Sequence, residues 1–444
     1  MHAIARPLAT LPDPDPAAQD ASRALIARIR SAIAEAGGAL DFAAFMELAL
    51  YAPRLGYYTG GARKFGAAGD FTTAPELTPL FGRTLAHTLA PVVAGRELLE
   101  LGAGTGRLAC DLLDALAAAD ALPERYSILE LSGELRARQQ AALASRHPAL
   151  ESRIRWLDRL PDALRGAIVA NEVLDVVPVH LVQWAECAQD TGGGFSPATV
   201  PAAVPTAAAA ATTATATTTA TTATATATAG ISAGISERCV ACGDEGADGS
   251  GAPFRWVERP LESPALLDAA ARIPVEAAAR PYLSEVAPAV NALVGSLIER
   301  LQQGIAVFID YGFGRAEYYH PQRRHGTLMC HYRQHAHTDP FFLPGLQDIT
   351  AHVDFTAVAE AALAAGGRLA GYTTQANFLL DAGIADLLAQ TPADQPGRYL
   401  PQVAAVQRLL SPAEMGELFK VMVIARDCEL VLPGLGARDL SRML

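Results

Sequence analysis

The sequence predicts a Rossmann-like α/β fold: a seven-stranded, mostly parallel sheet with an N-terminal helical cap and an inserted substrate subdomain. Three observations carry this. From Glu97 onward, strand-like apolar runs alternate with helix-like segments. The first of these runs, Glu97 to Leu101, leads through Gly102-Ala103-Gly104-Thr105-Gly106 into a helix-forming stretch. A chain of 444 residues, 50% of them apolar, can also build a core of that size.

The elements follow in order. Residues 1–20 have Arg6 as their only cation, with Asp13, Asp15 and several prolines, and read as a flexible tail. They match neither a signal peptide nor a transit peptide, so a cytoplasmic protein is expected. Residues 21–95 read as the helical cap and a lid loop. Ser22 to Ala36 puts Leu25, Ile26, Ile29 and Ile33 on one helical face. Asp41 to Met46 begins a second helix. Leu55 to Pro79, rich in Gly, Thr and Pro, is longer than a simple connection needs.

Residues 96–191 form the first half of the core. Strands are expected at Glu97 to Leu101, Tyr126 to Leu131, Arg153 to Leu157 and Ala167 to Ala170, with helices at Leu108 to Ala119 and Glu134 to Ser145. Residues 192–253 read as a weakly ordered, low-complexity insertion without chemistry, since Thr206 to Ala229 contains only Ala and Thr. Residues 254–303 and 314–355 are assigned to the substrate subdomain. Residues 304–313 and 356–444 return to the core: a strand at Ile305 to Ile309, a helix at Phe355 to Ala365, and Leu369 to Gln375 with Lys420 to Ala425 closing the sheet.

Composition excludes several classes. The net charge of −12 argues against nucleic acid, because phosphate binding needs clustered Lys and Arg. No run of about 18 strongly apolar residues is present, so no membrane insertion is expected. Six cysteines suit a reducing compartment. Cys239 and Cys242 form a lone CxxC with no second ligand pair nearby.

The glycine loop points to a nucleotide-like ligand. Glycines let a ligand approach the main chain, and the following helix offers unpaired N–H groups. Dinucleotide sites read Gly-x-Gly-x-x-Gly. Here the third glycine comes one residue early, and Arg107 stands where that pattern wants Gly. The form Glu100-x-Gly102-x-Gly104-x-Gly106 instead resembles motif I of class I methyltransferases. That resemblance implies S-adenosylmethionine as cofactor, with Glu100 helping to place its methionine part. Glu130 ends the next strand, 24 residues past Gly106, where a carboxylate can accept from both ribose hydroxyls.

Other residues fall at the same crevice. Asn171-Glu172-Val173-Leu174-Asp175 follows the fourth strand and should face the reacting methyl. Its carboxylates suit a cationic acceptor and could pair with a guanidinium. Asp70 and Phe71 lie in a Gly-Asp-Phe-Thr-Thr loop suited to cover the cofactor. Asp310 and Tyr311 end the fifth strand. Asp348, His352 and Asp354 cluster before a helix without a regular metal-ligand spacing, so no metal is expected. His352 and Asp354, with Asp310 and Tyr311, are expected to line the substrate site. His331, His335 and His337 read as a polar loop.

Several segments together resemble the MidA family, methyltransferases tied to assembly of respiratory complex I. They are Gly56-Tyr57-Tyr58, Gly69 to Glu76, the glycine loop, Ala170 to Asp175, Ser284 to Pro288, Asp310-Tyr311-Gly312, Gly326-Thr327-Leu328 and Asp348 to Phe355. The resemblance implies protein arginine N-methylation, with Asn171, Glu172 and Asp175 as catalytic residues and a quinone-module subunit of complex I as the type of acceptor. A small-molecule N- or O-methyltransferase and an assembly chaperone that binds the cofactor without turnover are the alternatives.

Overall fold

The computed structural model describes residues 11–60, 72–185, 234–244, 252–276, 279–436 and 438–444. Helix α1 (Pro16–Glu35) starts earlier than its apolar stripe implies, because Asp15 caps it through Ala18 N–H and Pro16 fits the first turn. Residues 11–20 are therefore not a free tail; Leu11 is itself buried. Then come β1 (Leu40–Asp41), α2 (Phe42–Tyr51), α3 (Ala74–Leu77) and α4 (Pro79–Val93).

The core begins with β2 (Glu97–Leu101), α5 (Arg107–Ala118), β3 (Arg125–Leu129), α6 (Gly133–Arg146), β4 (Ile154–Leu157) and β5 (Leu164–Asn171). Next are β6 (His180–Trp184), β7 (Ile235–Cys242), β8 (Phe254–Pro260), α7 (Pro264–Ala271), β9 (Tyr282–Val286), α8 (Pro288–Arg300) and β10 (Leu301–Phe313). The chain continues through α9 (Arg315–Tyr318), β11 (Met329–Tyr332), β12 (His335–His337), β13 (Asp348–Thr350), β14 (Val353–Asp354) and α10 (Phe355–Ala364). It finishes with β15 (Arg368–Thr374), α11 (Gln375–Asp381), α12 (Ile384–Ala389), α13 (Pro396–Leu410) and β16 (Phe419–Arg426).

The main sheet is mixed and has eight strands, in the order β15-β16-β10-β5-β2-β3-β4, with two-residue β14 beside β10. Strands β4, β3, β2, β5 and β10 are parallel, and β16 runs antiparallel between β10 and β15. Both faces are covered, so side chains alternate between two cores. Leu98, Val169, Val307 and Val423 pack under α4 and α5. Leu99, Ile168, Phe308 and Met422 pack under α8 and α10. The chain builds β2, β3 and β4 outward, then crosses back to lay β5 on the other side of β2. That reversal opens a crevice past the carboxyl ends of β2 and β5, which are paired at Leu101 and Ala170.

A second, antiparallel sheet joins β1, β7, β6, β9 and β8, and a third joins β12, β11 and β13. Helices α1 and α2 pack on them through Leu25, Ile29, Phe42 and Phe45, against Leu181, Val240, Phe254 and Ile349. Two sequence boundaries are thereby corrected. Strand β7 lies inside the 192–253 stretch: its Ile235, Cys239, Val240 and Ala241 are buried, and β6, β8 and β1 pair with it. Helix α8, within the stretch assigned to the substrate subdomain, instead buries Val290, Val294, Leu297 and Ile298 on the main sheet.

Candidate active site

A cleft of about 1820 Å³ lies over the switch point. One end is built by the glycine loop. Gly102, Gly104 and Gly106 all have positive φ, at 61°, 53° and 83°. Gly106 is the N-cap of α5 and supplies no side-chain cap, so the first N–H groups of that helix keep no intrahelical partner. Gly106 itself is buried off the cleft. A Cβ there would come within 3.3 Å of Gln139 Cα, so the glycine serves close packing of α5 on α6. Gly102 is exposed in the cleft.

Gln139, which the sequence reading missed, organises this end. Its Nε2 donates to Gly104 O and to Glu130 Oε2, both at 2.9 Å, while its Oε1 accepts from Trp156 Nε1. Glu130 also accepts from Ser132 N–H at 2.8 Å. Burial raises the Glu130 pKa, and Ser132, Gln139 and Arg136 oppose that rise. A carboxylate has about four acceptor sites, so Glu130, which the Leu131 N–H also meets, retains capacity for a ribose hydroxyl. Glu100 lines the same floor and accepts from Tyr126 O–H at 2.7 Å. Burial pushes its pKa to about 7. Thr105 donates to Glu76 of α3, which brings a further carboxylate to the cleft wall. Asp70 and Phe71 lie outside the described residues.

The other end is built by the turn after β5. Asn171, Glu172 and Asp175 all line the cleft. Glu172 sits at φ 53°, an uncommon conformation for a non-glycine residue, and its N–H donates to Ile309 O. Its Oε1 accepts from Asn171 Nδ2 at 3.2 Å and from Ala74 N–H at 3.4 Å. Burial, then the Asp175 charge, pushes its pKa to about 8. Asp175 is buried, and its Oδ2 accepts from Tyr311 O–H. Its Oδ1 is buried with no hydrogen-bond partner among the described residues. Burial raises the Asp175 pKa to about 6 against the opposing effect of Tyr311 and of the nearby Asp175 and Val176 N–H groups.

Two residues expected in the substrate site lie elsewhere. Asp310 is 1% exposed and does not line the cleft. Its Oδ2 accepts from the N–H groups of Val173, Leu174 and Asp175, and its Oδ1 from Tyr311 N–H. It pins the turn from beneath. Asp354 caps α10 through Thr356 and Ala357 N–H and lies near Arg315, again off the cleft. Tyr311 and His352 do line it, with their rings 5.3 Å apart edge to face. Tyr51 and Tyr58, stacked at 5.6 Å, add an aromatic wall that no local spacing announces. Tyr51 donates to Val176 O, and Tyr58 to the buried Asp348.

The remaining motifs resolve into one structural knot. Glu285 of β9 is buried and accepts from the N–H groups of Thr327 and Leu328 and from the Thr327 hydroxyl. A Cβ at Gly326, at φ 77°, would meet Glu285 Oε1 at 2.3 Å. The Ser284 to Pro288 and Gly326 to Leu328 segments thus require each other. Among the described residues, only Asp41, His180 and Glu237 bring three possible metal-ligand atoms within 4.8 Å of one another. There, Asp41 caps α2 and His180 Nδ1 is hydrogen-bonded to Glu237 at 2.6 Å. No helix of the described residues is long and apolar enough to cross a membrane.

Comparison with known proteins agrees with this architecture. Residues 80–373 match the profile of a family described as "Putative S-adenosyl-L-methionine-dependent methyltransferase". A Burkholderia thailandensis protein crystallised with S-adenosyl-homocysteine is 43% identical and superposes with a TM-score of 0.82, over 98% of this chain and 100% of that one. The Drosophila melanogaster mitochondrial protein arginine methyltransferase NDUFAF7 homolog is 25% identical over 93% of this chain and 87% of its own length. The Caenorhabditis elegans homolog is 32% identical over a shorter stretch, 32% of this chain and 39% of that protein. The profile match spans more than half of the chain, and the structural neighbour holding S-adenosyl-homocysteine is matched over 98% of it. The chain therefore belongs to the MidA-type family of S-adenosylmethionine-dependent methyltransferases, with S-adenosylmethionine as its cofactor.

Proposed function

We propose that this chain methylates an arginine side chain of a protein acceptor. The observation that carries the reading is the pair of carboxylates past β5. Asp175 Oδ1 is buried without a hydrogen-bond partner among the described residues, beside a second raised carboxylate, Glu172. Such a pair is poorly satisfied alone and well satisfied by a cation that donates several N–H groups in one plane. The distant relatives named as protein arginine methyltransferases support the same reading. A respiratory complex I quinone-module subunit is the acceptor class that the family resemblance favours.

The donor end fits the cofactor. Gly102 and Gly104 leave the main chain open, the α5 N-terminus suits a carboxylate, and Glu130 suits a ribose hydroxyl. S-adenosylmethionine supplies an electrophilic methyl group on a sulfonium. Glu172 and Asp175 would accept guanidinium N–H groups and fix the plane of the acceptor. One of them would take the proton released as the nitrogen gains its methyl, since a guanidinium with pKa above about 12 is a poor nucleophile until it loses one. Tyr51, Tyr58 and Tyr311 would exclude water around the pair.

The test is direct. The purified chain is incubated with methyl-labelled cofactor and a complex I quinone-module subunit, and the products are mapped by mass spectrometry. Label on arginine is the expected result. Label confined to lysine or to a small molecule rejects the reading, as does cofactor binding without transfer to any protein.

A further inference from the structure

We propose that Tyr311 is a positioning residue for Asp175: its hydroxyl occupies Oδ2 so that Oδ1 is presented to the acceptor, while Asp310 holds the backbone of the same turn. The inference rests on the reading that Asp175 faces the acceptor.

Three observations place the parts. Asp310 is fully engaged by four main-chain N–H groups, three of them from successive residues of the 172–175 turn. It cannot turn toward a ligand without orphaning them, so its carboxylate fixes the turn in space. The next residue on β10 is Tyr311. Edge-to-face contacts with His352 at 5.3 Å and Phe419 at 5.4 Å fix its ring, and its hydroxyl donates to Asp175 Oδ2. Asp175 in turn is buried with Oδ1 unpartnered among the described residues.

This geometry has a chemical consequence. A free carboxylate meets a guanidinium with both oxygens. With Oδ2 already accepting from Tyr311, Oδ1 is the Asp175 oxygen with no hydrogen bond among the described residues, so the acceptor is directed there first. A second guanidinium nitrogen is then left for Glu172, whose described hydrogen bonds both go to Oε1. The acceptor is thereby clamped between two residues. The titratable groups around Asp175 are Glu172 on its own turn, Asp310 and Tyr311 on β10, and Tyr51 and Tyr58 from the cap, with His352 behind Tyr311. Of these, the Tyr311 hydroxyl is the one that hydrogen-bonds to the carboxylate among the described residues.

The experiment reads Asp175 in the full-length protein without an acceptor, by carboxyl ¹³C NMR or difference infrared titration. Tyr311→Phe keeps the ring contacts and removes the hydroxyl. The Asp175 midpoint should rise by about one pH unit, a tenfold change in proton affinity, because a hydrogen bond to the charged form is lost. Tyr58→Phe, whose hydroxyl goes to Asp348, should leave the midpoint in place. An unchanged midpoint in Tyr311→Phe, or an equal rise in Tyr58→Phe, overturns the assignment. Should Tyr311→Phe fail to fold, the native chain still gives a reading. A downfield tyrosine hydroxyl proton should be present and should vanish in Asp175→Ala, which leaves no acceptor; its absence, or its survival in that variant, counts against the proposal. Because no acceptor is involved, failure of arginine methylation and failure of this inference produce different results.

Discussion

The two ends of the cleft handle buried carboxylates in opposite ways. At the glycine loop, Glu130 is 7% exposed and is met by Ser132 N–H and the Gln139 amide, with Arg136 nearby. At the 171–175 turn, Asp175, Glu172 and Asp310 lie near one another, and the charge of one raises the pKa of the next. Glu130 thus has its charge met by hydrogen bonds before a ligand arrives, although the pKa of Glu100 on the same floor is itself raised to about 7. Among the described residues no cation is hydrogen-bonded to Glu172, Asp175 or Asp310, an arrangement that suits a cationic ligand.

Removing one carboxylate from each end sharpens that contrast. The largest effect is expected from Asp175→Asn. It should lower methyl transfer by about 100-fold or more, the scale of losing a general base, while cofactor affinity stays at the native value. Single-turnover kinetics beside calorimetry separate the two; a parallel loss of cofactor binding would mean the ends are not independent. Glu130→Ala should do the reverse. A hydrogen bond to a charged group is lost, so the dissociation constant for S-adenosyl-homocysteine should rise by roughly 10- to 100-fold. Calorimetry giving an unchanged constant removes Glu130 from the cofactor site.

The same contrast explains what the sequence could disclose. The strand, the glycine loop and Glu130 are linked by short stretches of chain with characteristic spacing, so local pattern sufficed to find them. The role of Asp310 depends on backbone N–H groups 135 to 137 residues away. That Asp354 caps a helix was legible in principle from Asp354-Phe355-Thr356, but its place among other acidic and histidine residues suggested a ligand site instead. Strand β7 was hidden by its Ala/Thr-rich neighbourhood, since composition averages over a window and the buried Cys239 and Val240 are few. Tyr51 and Tyr58 read as cap residues because the cleft they line forms only when the cap meets the main sheet.

The smallest expected effect tests the charge shortage in the fold itself. The Glu172 pKa stands at about 8, above its ordinary 4.5, because burial and the Asp175 charge both disfavour the ionised form. The folded chain therefore holds a proton at this site that the unfolded chain gives up near its ordinary pKa. By linkage, that difference lowers stability progressively as pH rises from about 4.5 to about 8, and no further beyond. Glu172→Gln keeps an oxygen for Asn171 and Ala74 and carries no charge. It should melt with the native chain near pH 4.5 and a few degrees above it at pH 8, on the scale of roughly 2–4 °C per 1 kcal/mol for a large domain. The side chain is only partly buried, so the gain belongs at the lower end of that range. A variant less stable than the native chain at pH 8 would mean that the Glu172 charge is compensated in the fold. The acceptor end would then resemble the donor end, and the electrostatic case for a cationic acceptor would fall with it.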